Sequence, residues 1–165
     1  MDEKNLEEYL ARQDILIEGD TATWEIRAEG DVLGTYTGTF KFRCFLTPTQ
    51  RLAAGREHRE LLGRHPTLAT THDDNLAFSL SQLKYRVISA PPFWTSTVQQ
   101  NGTAGDIPDD KVIDVILEAA VAAELKYKAQ LKLKKSNAIE RAKKAAESLL
   151  KLRNQEENKD GESEE

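Results

Sequence analysis

The chain has one cysteine, Cys44, among 165 residues. A single thiol excludes an intrachain disulfide and any zinc site built from several cysteines, and it fits a reducing compartment. No apolar run approaches the roughly 18–20 residues needed to span a bilayer. Met1-Asp2-Glu3-Lys4 lacks the basic-then-apolar pattern of a secretory signal, so a soluble intracellular protein is expected. GxGxxG, P-loop, GxSxG and HExxH patterns are missing. No aromatic residue follows Tyr127. The packed core therefore has to come from about the first three-quarters of the chain, which can bury only a modest one.

What is present begins with alternation. Trp24, Ile26 and Ala28 interleave with Thr23, Glu25 and Arg27. Tyr36, Phe40, Phe42, Cys44 and Leu46 then interleave with Thr35, Thr37, Thr39, Lys41 and Arg43. A period of two buries one set and wets the other, which predicts two strands. Ile15-Leu16-Ile17 is an apolar lead into them, and Glu29-Gly30-Asp31 is a turn signal. Gly34 and Gly38 are positions where crowding or a bulge calls for glycine. Thr47-Pro48-Thr49-Gln50 has the form of a capping box, with Pro48 at the first helical position, and predicts a helix to about Leu62 stopped by Gly63.

A second helix is expected after Asp73 or Asp74 as N-cap. Leu76, Leu80, Leu83 and Val87 form its apolar stripe, which Phe78, Tyr85 and Ile88 widen, and Pro91-Pro92 ends it. A long connection follows from Pro92 to Pro108, of the length that is usually functional or mobile. A third helix starts near Pro108 or Asp109, with Val112, Ile113, Ile116, Leu117 and Ala120 facing the core. Asp109, Asp110 and Asp114 suit the positive end of its dipole. The fold class expected is α+β: a small antiparallel hairpin or sheet packed with three helices, plus a basic C-terminal helical extension and a disordered acidic tail. The boundaries are an N-terminal polar segment over 1–13, a core domain over 14–127, the extension over 128–153 and the tail over 154–165. Ser136-Asn137 is a potential break in the extension.

Charge follows the same division. Residues 1–125 carry 12 basic and 20 acidic side chains, residues 126–153 ten and two, and residues 154–165 one and six. Such blocks usually mark solvated helices and tails. Lys132, Lys134 and Lys135 make this stretch a candidate partner-binding element. A nucleic-acid role is the weaker reading, because no aromatic is available for base stacking and no reading motif is present. His58, His65 and His72 recur every seven residues, but solvated surface histidines are the favoured reading over a metal site. Cys44 belongs to the apolar face of its strand and is read as a small buried hydrophobe rather than a nucleophile. Asp73-Asp74 and Asp109-Asp110 fit helix starts better than an acid/base pair. No cofactor is implied. Phe93-Trp94, on a proline-stiffened loop, either plugs the edge of the core or anchors a partner.

The stretch from Gly34 to about Glu124 resembles the tail assembly chaperones of long-tailed bacteriophages. The likeness rests on the strand pair GTYTGTFKFRCF, the helix start LTPTQRLAAGREHREL, the middle helix NLAFSLSQLKYRVI and the closing DIPDDKVIDVILEAAVAAE. It implies a non-enzymatic helper in the host cytoplasm that binds the tape-measure protein, keeps it from aggregating and leaves before the tail is complete. A frameshifted longer form is common in that family. The PPFW loop and the Lys-rich extension fall outside the likeness, which keeps a structural component of the phage head or tail, retained in the virion, as the alternative. Self-association is compatible with both, and no membrane partner is expected.

Overall fold

The computed structural model describes residues 14–63, 66–94 and 107–160, and within these not the side chains of 66 or 150–160. The N-terminal polar segment over 1–13 and most of the connection after Trp94 lie outside the described residues. The fold is α+β. Strands β1 (Ile15–Glu18), β2 (Thr21–Glu29), β3 (Thr35–Arg43) and β4 (Val87–Ser89) form one antiparallel sheet in the order β1-β2-β3-β4. Helices α1 (Pro48–Leu61) and α2 (Thr71–Arg86) lie between β3 and β4 in sequence, with a 3-10 turn at Pro66–Leu68, and α3 spans Asp110–Asp160. The chain divides into two units, Met1–Tyr127 and Lys128–Glu165.

The alternation in the sequence has its physical counterpart in register. Trp24 lies opposite Ile15 on one side and Phe40 on the other, and Ala22 lies opposite Phe42. Phe40 and Phe42 stack 5.6 Å apart, and both are fully buried. Tyr36, Cys44 and Leu46 are buried with them, whereas Thr35, Thr37, Thr39 and Arg43 face solvent. Val112, Ile113 and Ile116 of α3 share this core with Ala119, Ala120, Ala122 and Ala123. Bulky rings from the sheet and small side chains from the helix divide the interior volume, which close packing requires. Gly38 is obligatory here. Its φ is +146°, and a Cβ would lie 2.6 Å from the Pro91 ring.

Helix α1 starts as expected: Thr47 and Gln50 close a reciprocal capping box, Pro48 is at the first helical position, and Gly63 follows at φ +72°. Helix α2 starts earlier than expected. Thr70, not Asp73 or Asp74, is its N-cap, and Asp73 is the third residue of a second capping box. Hydrogen bonds from the Thr70 hydroxyl and backbone N–H hold the Asp73 carboxyl below its ordinary value. The helix also stops at Arg86 rather than at Pro91-Pro92. Val87 and Ile88 are β-branched, and they add an edge strand to β3 instead. Phe78 and Ile88, expected within the buried stripe, are 48% and 43% exposed. Phe78 sits about 200° around the helix from both Leu76 and Leu80, and it meets the His58 ring edge-on instead.

Helix α3 runs through Ser136-Asn137 without a break and on past Arg153, where the sequence predicts an unstructured tail, to Asp160. Gln155, Glu156 and Glu157 favour the helix. Residues 161–165 lie outside the described residues.

Asp109 departs most from expectation. It precedes α3, and its main-chain carbonyl accepts from Val112, but its carboxylate turns away to the β2–β3 turn. There it accepts from the backbone N–H groups of Asp31 (2.6 Å), Val32 (2.8 Å) and Leu33 (3.1 Å) and from the Tyr36 hydroxyl (2.6 Å). Lys111 pairs with Asp31 at the rim. Gly30 is needed because a Cβ would lie 2.6 Å from the same carboxylate. The Tyr36 hydrogen bond and the three N–H groups hold the Asp109 carboxyl below its ordinary value of 3.8. Burial and Asp109 push the Tyr36 phenol up to about 12. A lowered carboxyl favours the folded state wherever it is ionised. That contribution is complete above pH 3.8 and is lost as pH falls through the lower folded value. Melting temperature followed by circular dichroism should therefore fall more steeply below pH 4 in the wild type than in Asp109→Asn. Parallel curves would show that Asp109 does not fasten the turn.

Candidate functional site

Helices α1 and α2 pack on each other, and neighbouring residues of α1 make two polar contacts to α2. His58 Nε2 lies 3.0 Å from Asp74 Oδ1, and Lys84 Nζ lies 2.7 Å from Glu57 Oε2. The C-terminal turn of α1, the 3-10 turn and the first turns of α2 enclose a groove of about 420 Å³. Leu61, Leu62, Leu68, Leu76 and Leu80 line it, with Ala69, Ala77 and the Asp73 carboxylate. Leu61 is 38% exposed and Leu68 is 81% exposed. Arg56, Arg59 and Glu60 border a shallower depression beside Gly63. A leucine-lined groove with charged borders suits an apolar helical or extended segment.

The groove arises from local signals acting together. Gly63 stops α1 just after Leu61-Leu62, and the Thr70 cap starts α2 two residues after Leu68. Among the described residues no third layer covers those apolar side chains. Sequence reasoning passes over Leu61, Leu62 and Leu68. The available signal is Leu68 itself, an apolar residue in a stretch that otherwise reads as loop.

The residues that the sequence singles out fall elsewhere. Trp94 is 2% exposed and meets Phe40 edge-on at 5.6 Å. Phe93 packs on the same core, with its ring 5.0 Å from Tyr36 and 6.0 Å from Phe40. Pro92–Trp94 form a helical turn closed by the Trp94 N–H on the Pro91 carbonyl. Trp94 is thus buried in the core and Phe93 half-buried at its rim, which is the placement that the core-plug reading expects. Lys132, Lys134 and Lys135 are exposed on α3 within the second unit. At about 100° per residue Lys132 and Lys135 lie about 60° apart, but Lys134 lies about 160° from Lys132, so the three do not share one face.

His58 and His72 face different carboxylates, Asp74 and Asp110, and His65 lies outside the described residues. Among the described residues no group of three histidine, cysteine, aspartate or glutamate side chains is placed to hold a metal ion. Cys44 is fully buried, and burial, more than the nearby Asp20 and Glu124, pushes its thiol up to about 11. A thiol so placed is protonated at neutral pH and is a poor nucleophile. Among the described residues no helix is long and apolar enough to cross a membrane. No family model, curated protein or solved structure matches the chain.

Proposed function

We propose that this chain is a non-enzymatic assembly chaperone of a bacteriophage tail. It binds apolar helical segments of the tape-measure protein in the host cytoplasm and leaves as the tail is completed. The groove between α1 and α2 carries this reading: Leu61 and Leu68 are exposed at its rim and Leu62, Leu76 and Leu80 are half-buried in its floor, an apolar surface of the kind that shields another chain's apolar segments. The described chemistry supports binding over catalysis, since the one cysteine is buried and His58 and His72 face surface carboxylates. Phe93 and Trp94 have no place in this contact.

The test is light scattering of a tape-measure segment, with and without the chain. Leu61→Asp/Leu68→Asp should weaken capture by about thirtyfold, corresponding to the loss of one interface hot spot. Stability should change by about 0.5 kcal/mol or less at Leu68, which is 81% exposed, and by somewhat more at Leu61, which is 38% exposed. Undiminished protection by the variant would remove the groove from the function. Detection of the chain in purified virions would favour a structural component instead.

A further inference from the structure

Within the second unit, the described part of α3 carries an apolar line at heptad spacing. Leu131, Ala138, Ala142, Ala145 and Leu149 recur at intervals of seven, four, three and four. This places all of them within about 40° of one line along the helix. Leu131 is 38% exposed, Leu149 is 67% exposed, and the three alanines are exposed as well. An apolar seam of this period is the seam of a coiled coil.

The charges beside the seam identify what it fits. Lys132 flanks it on one side, and Lys134 and Arg141 flank it on the other. Lys135 occupies a position in the seam itself. Both acids of this stretch, Glu140 and Glu147, fall on the far face, about 160–180° away, and Glu140 is paired there with Lys144 at 2.9 Å. The charged residues of the flanks are thus all basic, and Ile139, Ala146 and Ser148 fill the other flank positions. An antiparallel pair of copies would bring the Lys134–Arg141 flank against itself, and a parallel pair would oppose Lys135 to Lys135 within the seam. A nucleic acid would find the lysines spread around the helix, an apolar line between them and no aromatic for stacking.

We propose that this helix is the basic strand of a heteromeric coiled coil, and that its partner is an acidic amphipathic helix. That partner carries apolar residues along its own seam, glutamate or aspartate at both flanks and one acid opposite Lys135. The inference rests on the assembly-helper reading only for the expectation that the partner is a helical protein. It adds a contact separate from the groove of the first unit.

The probe is a labelled synthetic peptide of about four heptads, with leucine along its seam and glutamate at both flanks. Its binding to the full chain is followed by fluorescence anisotropy at low and high salt. Binding is expected, weaker at high salt. Leu131→Ser/Leu149→Ser should weaken it about tenfold or more, a loss expected when buried apolar seam residues are removed. Lys132→Glu/Lys134→Glu/Arg141→Glu should weaken it by about a hundredfold through like-charge opposition, and should create binding to the same peptide with lysine flanks.

Equal binding of a control peptide with serine along its seam would overturn the proposal, by showing mere charge attraction. So would duplex DNA binding that is indifferent to the leucine substitutions, or a dimer in sedimentation that those substitutions dissolve. The Leu61→Asp/Leu68→Asp variant should still bind the peptide. Loss of peptide binding with client protection intact would overturn this inference alone, and the converse would overturn the groove alone.

Discussion

Trp94→Ala should lower the stability of the chain by about 3–5 kcal/mol in a urea melt, the cost of removing a large buried ring and leaving a cavity. Trp94 is 2% exposed, and it contacts Phe40, itself fully buried at the centre of the sheet. Phe40 also touches Trp24, Phe42 and Phe93, so the cavity would open into the middle of an aromatic cluster. Near-UV circular dichroism should lose intensity in step. The comparison is Phe93→Ala, which removes a partly buried ring from the rim of the same cluster and should cost less. A fully stable Trp94→Ala variant that loses capture of a tape-measure segment would reverse the assignment, making this residue an anchor and the groove a bystander.

That alternative is open in the sequence for a physical reason. Two aromatics after two prolines have the same local pattern whether they turn inward or outward. The outcome depends on whether β3 offers a surface for them. It does so at Gly38, whose missing side chain lets the Pro91 ring lie against the strand and leads the next residues over Phe40. Period-two alternation and the Thr47 cap are legible because each is decided within a few residues. The bond from Asp109 to the β2–β3 turn joins groups 76 to 78 positions apart and has no local signature. The end of α2 at Arg86 is equally hidden. Helix and strand patterns compete at Val87 and Ile88, and the free edge of β3 decides between them. The groove is a third case, because it exists only once α1 and α2 have packed. The basic flanks of the C-terminal helix, by contrast, follow from sequence and period alone, once the helix is known to be continuous.

The other large effect concerns a charge inside the first unit. Arg86, the last residue of α2, is 8% exposed, and its Nη2 donates to Glu124 Oε2 of α3 at 2.6 Å. Its Nε and Nη1 are buried with no hydrogen-bond partner among the described residues. The guanidinium cannot shed its proton at any ordinary pH, so it depends on Glu124 for charge compensation. Glu124→Ala should therefore cost about 3–5 kcal/mol, the usual consequence of stranding one member of a buried pair. Arg86→Met/Glu124→Leu should recover most of that loss, because desolvating two charges offsets much of what their attraction contributes. The measurement is a double-mutant cycle by chemical denaturation, with Arg86→Met and Glu124→Leu as its single variants. Strong non-additivity, with the double variant more stable than Glu124→Ala alone, would identify the pair as a constraint on how α2 meets α3 rather than a source of net stability. Simple additivity would mean that Arg86 reaches water when Glu124 is gone, and that this end of α2 is looser than its burial implies.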